Sequence, residues 1–188
     1  GVHQIHSATA FCITGPFDGE RPRADALVTT TPGLAISVLT ADCTPVLLAD
    51  AEAGVIGVAH AGWRGALNGI LGNTVWLMAE FGARPDRIAA AIGPCIHQRS
   101  YEVGPEFEAE FLAVDPAYAR FFVPGAGDRL HFDLPRFCAS RLTAAGVREI
   151  ETLPLDTYAE SKRLHSHRRS VHEKAGDYGR NCSVIMLG

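Results

Sequence analysis

No run of apolar residues in this chain of 188 approaches the roughly 20 needed to cross a bilayer. Nor is there a basic segment leading into an apolar stretch, the mark of a secretory leader. Basic charge is scarce: 17 Lys and Arg against 21 Asp and Glu give a formal net charge of −4. That balance excludes a broad electrostatic footprint for nucleic acid, although a local patch is compatible with phosphate. Five cysteines, Cys12, Cys43, Cys95, Cys138 and Cys182, are widely spaced and include no C-x-x-C pair. An odd, scattered set argues against a disulfide framework and for a reducing compartment, so the cytoplasm is the expected location. Repeats, low-complexity tracts and charge blocks are missing too. What remains is 47% hydrophobic, ample for the core of one domain.

Short apolar runs come first. Ala26 to Val28, Leu34 to Leu39, Val46 to Leu48 and Val55 to Ala59 are separated by Gly, Pro, Asp and Thr and read as buried strands. The Thr31-Pro32-Gly33 turn and the Asp50 to Gly54 link are short enough for neighbouring strands to pair. The period then changes: Leu67, Ile70, Leu71, Val75, Leu77, Met78 and Phe81 predict one helix over residues 62–81, stopped by Gly82 and Pro85. Ile88 to Ile92 returns to strand, Glu106 to Leu112 is a short amphipathic helix, and Asp133 caps a helix reaching Gly146. Val147 to Leu153 and Ser183 to Leu187 close the pattern as strands. Helices alternate with groups of strands, which predicts an α+β (mixed α/β) fold with at least one mixed sheet.

Two of these runs end on groups able to bind metal or move protons. Leu39-Thr40-Ala41-Asp42-Cys43-Thr44 ends on a carboxylate and a thiol, and Val58-Ala59-His60-Ala61-Gly62-Trp63-Arg64-Gly65 on an imidazole and a guanidinium. Adjacent strands ending at one edge would set Cys43 beside His60. Gln4-Ile5-His6-Ser7 has the same shape, an apolar residue followed by a bare imidazole. One thiolate and two imidazoles suit zinc, with copper the other possibility, and a three-ligand site leaves a position open for chemistry. His60 precedes a helix start, where free N–H groups favour anions, and Arg64 could hold a phosphate bidentately. A competing reading makes Cys43 a nucleophile and His60 its base.

The strings Q-I-H-S, A-D-C-T-P-V-L-L, H-A-G-W-R-G, G-P-C-I-H, Y-E-V-G, S-H-R-R and G-R-N-C-S-V-I carry a resemblance over almost the whole chain. They resemble the family once called multicopper polyphenol oxidoreductase (laccase), or YfiH-like, now regarded as purine nucleoside phosphorylases. The resemblance implies one laccase-like domain over 1–188, two packed mixed sheets flanked by helices in α/β/β/α layers, and the family's stretch before the first histidine missing. It places His6, with Cys43 and His60, at the metal. It further implies phosphorolysis of adenosine, inosine and methylthioadenosine, with adenosine deamination as a second activity.

Expected partners are a nucleoside and inorganic phosphate, without nucleic acid or membrane, in a monomer or homodimer. Cys43, His60 and Asp42 form the expected catalytic set, and Arg64, Glu102 and His97 the expected substrate and phosphate set. Asp42 or Glu102 would move protons. Ser166-His167-Arg168-Arg169 is either a solvated turn or an anion-recognition loop, and neither arginine enters the catalytic set. A copper-dependent polyphenol oxidase is the main alternative, yet it needs a blue-copper site and a trinuclear cluster. Eight histidines, with no H-x-H at a strand end, are too few. A non-catalytic metal-binding module is a further reading, favoured by a closed fourth ligand.

Overall fold

Near-continuous apolar runs, buried on both faces, build the central sheet of the computed structural model, which describes all residues 1–188. In chain order the strands are β1 (Ala10–Cys12), β2 (Ala26–Thr29), β3 (Ile36–Thr40), β4 (Thr44–Asp50) and β5 (Val55–Ala61). Helices α1 (Trp63–Leu67) and α2 (Ile70–Glu80) follow, then β6 (Ala89–Ile92), β7 (Glu102–Val103) and α3 (Pro105–Val114). The last third holds β8 (Phe122–Pro124), β9 (Leu130–Phe132), α4 (Leu134–Ala144), β10 (Glu149–Thr152), α5 (His167–His172) and β11 (Asn181–Ile185).

The main sheet runs β1-β2-β5-β4-β6-β10, with β1–β2 and β6–β10 parallel and the other pairs antiparallel. It is therefore a mixed sheet, as the sequence pattern predicts. Ala26, Val28, Val46, Leu48, Ala59, Ala90 and Ile92 face one side and pack with Ile70, Leu71, Val75 and Met78 of α2 and Leu142 of α4. Leu27, Ile56 and Val58 face the other side, against Ile36 and Val38 of β3. There β3 pairs antiparallel with β11 in a second, smaller sheet packed on the first. A third sheet, β7-β9-β8, contributes Phe122 and Phe132 to an aromatic cluster with Phe107 and Phe111 of α3. No helix is long and apolar enough to cross a membrane.

Two expectations change. The helix foreseen over 62–81 is two helices, because Gly69 takes φ +98°, a left-handed conformation that an uninterrupted helix cannot contain. The turn at Thr31–Gly33 does not let β2 and β3 pair: β3 leaves for the small sheet, and β2 instead pairs with β1 and β5. The Asp50–Gly54 link does close a β4–β5 hairpin. Asp133 caps α4 as expected, its side chain accepting from the Arg136 N–H.

One buried carboxylate ties the segment after β10 to the loop after β6. Asp156, 2% exposed, accepts from Ser100 Oγ at 2.7 Å, Arg99 Nε at 3.2 Å and Tyr158 N at 3.1 Å. Burial pushes its pKa up, but the hydrogen bonds from Ser100 and Arg99 outweigh it and hold the carboxyl below the usual range. A depressed folded-state pKa contributes stability above the ordinary aspartate value near pH 4, and that contribution is lost as pH falls through the lowered value. Asp156→Asn is expected to lower stability by about 1–3 kcal/mol at pH 7. In urea melts across pH 2–7 the gap between parent and variant should narrow toward the acid end; a gap constant with pH would show that ionisation contributes nothing.

Candidate functional site

The β4–β5 hairpin assembles the site. Pairing of Thr44 with Ala61 and Pro45 with His60 sets the start of β4 against the end of β5, so Cys43, one residue before β4, stands beside His60. His6 arrives from the N-terminal segment with φ +59°, an uncommon backbone for a residue with a Cβ. The donor atoms of His6, Cys43 and His60 lie within 4.8 Å of one another, the single such cluster of three or more His, Cys, Asp or Glu side chains. Cys43 Sγ and His6 Nε2 are 3.7 Å apart, and the two imidazoles meet edge-on at 4.7 Å between ring centres. Donors around a tetrahedral zinc sit about 3.5 Å apart, so the set fits a divalent metal.

Gly62 makes room for this packing. A Cβ there would stand 2.9 Å from both Cys43 Sγ and His6 Cδ2, closer than side chains tolerate.

Electrostatics prepare the donors. Burial raises the Cys43 thiol, but hydrogen bonds from His6 and His60 outweigh it and bring its pKa to about 7. Burial lowers His60, but Asp25 and Cys43 outweigh it and raise it to about 9. Both shifts favour a thiolate beside an imidazolium in the absence of metal, and a metal would displace the protons the donors carry. Asp25 accepts from His60 Nδ1 at 2.8 Å, which leaves Nε2 for the cluster. Burial opposes its ionisation, but bonds from His60 and Ser7 hold its carboxyl at about 2.

A cavity of about 210 Å³ opens from His6 and Cys43 and runs between Trp63, Tyr101, Arg64 and Arg168. The Arg64 guanidinium lies 4.3 Å from the Trp63 ring centre and that of Arg168 5.4 Å from Tyr101. Arg64 has no carboxylate partner; Arg168 donates Nη1–H to the Glu102 carbonyl at 2.7 Å. The aromatic cluster supports this wall, with Phe107 4.7 Å from Trp63 and 5.9 Å from Tyr101. Burial drives the Tyr101 phenol upward, so its O–H stays a donor. A second chamber of about 320 Å³ lies on the other side of the cluster, lined in part by His3, Thr40, Tyr178 and Arg180.

The expected residues divide. His6, Cys43, Asp42 and Arg64 line the first cavity together, and His60 faces the second chamber. Asp42, at φ +85°, accepts from Thr157 Oγ1 and the Arg168 N–H, both at 2.6 Å, and so ties the cavity wall to the distant α5. Glu102 offers its backbone carbonyl while its side chain is exposed, and His97 lies outside the cavity with Nε2 buried and unpartnered. Asp25 and Arg168 are site residues that sequence reasoning passed over. An acid between Ala24 and Ala26 at the head of a buried strand was the signal for Asp25. For Arg168 the signal is the basic cluster Ser166-His167-Arg168-Arg169 in an acidic chain; Arg169, beside it, is structural and donates to the Thr157, Tyr158 and Leu164 carbonyls.

The model of the multi-copper polyphenol oxidoreductase laccase family matches residues 1–188. A purine nucleoside phosphorylase of Rickettsia prowazekii is 43% identical over 167 residues, 88% of this chain and 69% of that protein. One of Deinococcus radiodurans is 41% identical over 187 residues, covering 99% and 69%. The crystal structure of the Bacillus licheniformis hypothetical protein YfiH superposes with a TM-score of 0.87 at 28% identity, covering 100% of this chain and 73% of that one. The chain spans about two thirds of the length of the curated relatives it matches.

Proposed function

The chain belongs to the multi-copper polyphenol oxidoreductase laccase family, and from that premise we propose that it is a zinc-dependent purine nucleoside phosphorylase. Adenosine, inosine and methylthioadenosine are its proposed substrates, with adenosine deamination as a second activity, in the reducing cytoplasm that suits five unpaired thiols. The observation that carries this reading is the joining of two features in one place. Two donors of a Cys/His/His set, His6 and Cys43, line a cavity walled by two aromatic rings and two guanidinium groups. Flat rings suit a purine, and arginines without a carboxylate partner suit phosphate.

His6, Cys43 and His60 would hold the metal, which supplies Lewis acidity when bound. The protein's own groups do the rest. Trp63 and Tyr101 bind and orient the base, excluding water from its faces. Arg64 holds phosphate, with Arg168 as a second positive charge whose position is fixed by Glu102 and Asp42. Of the two carboxylates expected to handle protons, Asp42 lines the cavity and is our assignment for the proton at the departing base. The decisive assay couples elemental analysis with inosine turnover in the presence and absence of phosphate. Ribose 1-phosphate formed only with phosphate, by a protein carrying one zinc, is the expected result; phosphate-independent hypoxanthine release would overturn phosphorolysis.

Arg64→Ala tests the phosphate assignment. Losing a charge-assisted contact is expected to raise the phosphate KM about 10-fold or more. Deamination, which needs no phosphate, should stay within a few-fold. Equal loss in both reactions, measured by steady-state kinetics, would make Arg64 a nucleoside or structural group.

The copper oxidase reading meets a shortage of donors, since one three-residue cluster cannot furnish a blue-copper site and a trinuclear cluster as well. A cysteine hydrolase has a specific observation in its favour, the Cys43 thiol at about 7 beside His60 at about 9.

A further inference from the structure

Six donors converge on one residue that is neither a ligand nor in the cavity wall. The Asp25 side chain is wholly buried. Its Oδ1 accepts from His60 Nδ1 at 2.8 Å and from the His6 N–H at 3.0 Å. Oδ2 accepts from the Ser7 N–H at 2.6 Å and the Ser7 hydroxyl at 2.7 Å. The Ile5 N–H lies 3.2 and 3.3 Å from the two oxygens. Asp25's own carbonyl accepts the His60 N–H at 2.7 Å.

We propose that Asp25 is a positioning residue that sets two of the three metal ligands, His6 and His60, by two separate means. The inference rests on the zinc reading above. For His60 the means is the tautomer. An ionised carboxylate can only accept, so Nδ1 keeps its proton and donates it, the Nε2 lone pair is left for a metal, and the ring is held in place. For His6 the means is the backbone. Three successive N–H groups, those of Ile5, His6 and Ser7, close around the carboxylate as a nest. That nest holds His6 at φ +59°, a conformation that costs on its own and persists where its surroundings over-determine it. The bend is what brings the His6 ring edge-on to His60 and within 3.7 Å of the Cys43 sulfur. Cys43 is placed independently, by the start of β4.

An amide at position 25 would undo both arrangements. It has one oxygen for two sets of donors, and its NH2 group must face either His60 or Ser7. Facing His60, it favours the tautomer with the proton on Nε2, which cannot ligate. Facing Ser7, it opposes an N–H and loosens the bend.

The test measures zinc affinity of the full chain by competition with a chromophoric chelator, and records the thiolate-to-metal absorption with cobalt. Asp25→Asn should bind zinc about 10- to 100-fold more weakly, the usual effect of removing an outer-shell partner. Its metal-free melting temperature and far-UV circular dichroism report separately on folding. A double-mutant cycle then separates the two means. Asp25→Asn should still weaken zinc in a His60→Ala background, through His6, and in a His6→Ala background, through His60. Disappearance of the effect in either background overturns the double role, because a single ligand would carry all of it. If Asp25→Asn does not fold, Ser7→Ala serves instead. It removes one donor to the carboxylate without touching a ligand, and should weaken zinc by about 2- to 10-fold, the worth of one hydrogen bond. A Ser7→Ala protein with the parent's affinity would overturn the proposal. A parent chain with no zinc affinity defeats the zinc reading and this inference together. A parent that binds zinc, beside an Asp25→Asn protein that binds it equally, defeats only the role of Asp25.

Discussion

Cys43→Ser is expected to lose bound metal and turnover together. A serine hydroxyl is a far poorer zinc donor than a thiolate, and the two remaining imidazoles leave an incomplete set. The fall in affinity should be about 100-fold or more, at or beyond the top of the 10- to 100-fold range for outer-shell changes. Side-chain volume hardly changes, so the fold should survive, and circular dichroism will check that. The same variant separates the metal enzyme from the cysteine hydrolase. A nucleophilic Cys43 would leave metal content as in the parent and abolish turnover alone, and the wild-type sulfur would form a trappable covalent intermediate. The metal-enzyme outcome is the expected one, because a Cys43–His60 pair has no use for His6. Full metal occupancy with no activity would overturn the mechanism while leaving membership of the family intact.

Gly62→Ala should do comparable damage from a residue that carries no chemistry. Its backbone, at φ −68° and ψ 163°, is open to alanine, so conformational strain is not the obstacle. The obstacle is contact: the new methyl would stand 2.9 Å from the Cys43 sulfur and 2.9 Å from a carbon of the His6 ring. One ligand or both must move, and catalytic and metal geometries tolerate shifts of only about 0.5 Å. Zinc affinity should drop at least ~10-fold, in the range seen when ligand support is disturbed. Overpacking itself should cost about 1–3 kcal/mol of stability. Side-by-side zinc titration and thermal melts would separate the two effects. Parent-like affinity in Gly62→Ala would mean that the loops carrying His6 and Cys43 have slack, and that the glycine is not needed for ligation.

Much of the site could be read from the chain because hairpin geometry is local. Cys43 and His60 flank two apolar runs joined by a short link, and a β4–β5 hairpin closed over the four residues Ala51 to Gly54 brings them together. The helical and strand periods of 70–81, 89–92 and 134–144 were equally legible, since burial on one face writes itself into spacing. The break at Gly69 was not, because an isolated glycine within a helical period is usually tolerated. Nor were the parallel pairs β1–β2 and β6–β10, which depend on partners far along the chain and leave no short-range mark. The same holds for β3, whose brief turn from β2 suggests pairing while its true partner is β11. His6 could be placed only through its motif, since nothing local says where an early segment will dock. Asp25 was missed because a single acid beside a strand looks like a surface residue; burial and its donors give it meaning.

The tie between Asp42 and the far end of the chain bears on how the protein is born. All three candidate ligands lie within the first 60 residues, and so does Asp25. The two strands of the β4–β5 hairpin are neighbours in the chain and leave the ribosome together. The partners of Asp42, however, are Thr157 and Arg168, 115 and 126 residues later, and β3 must wait for β11 at Asn181–Ile185. At ribosomal speeds of about 5–20 residues per second, that wait is on the order of ten seconds. Through it the ligand residues have been made, while the α5 contact to Asp42 is missing and β3 has no partner. The order in which its residues are made thus leaves the β3 edge without its partner until the last strand of the chain is available.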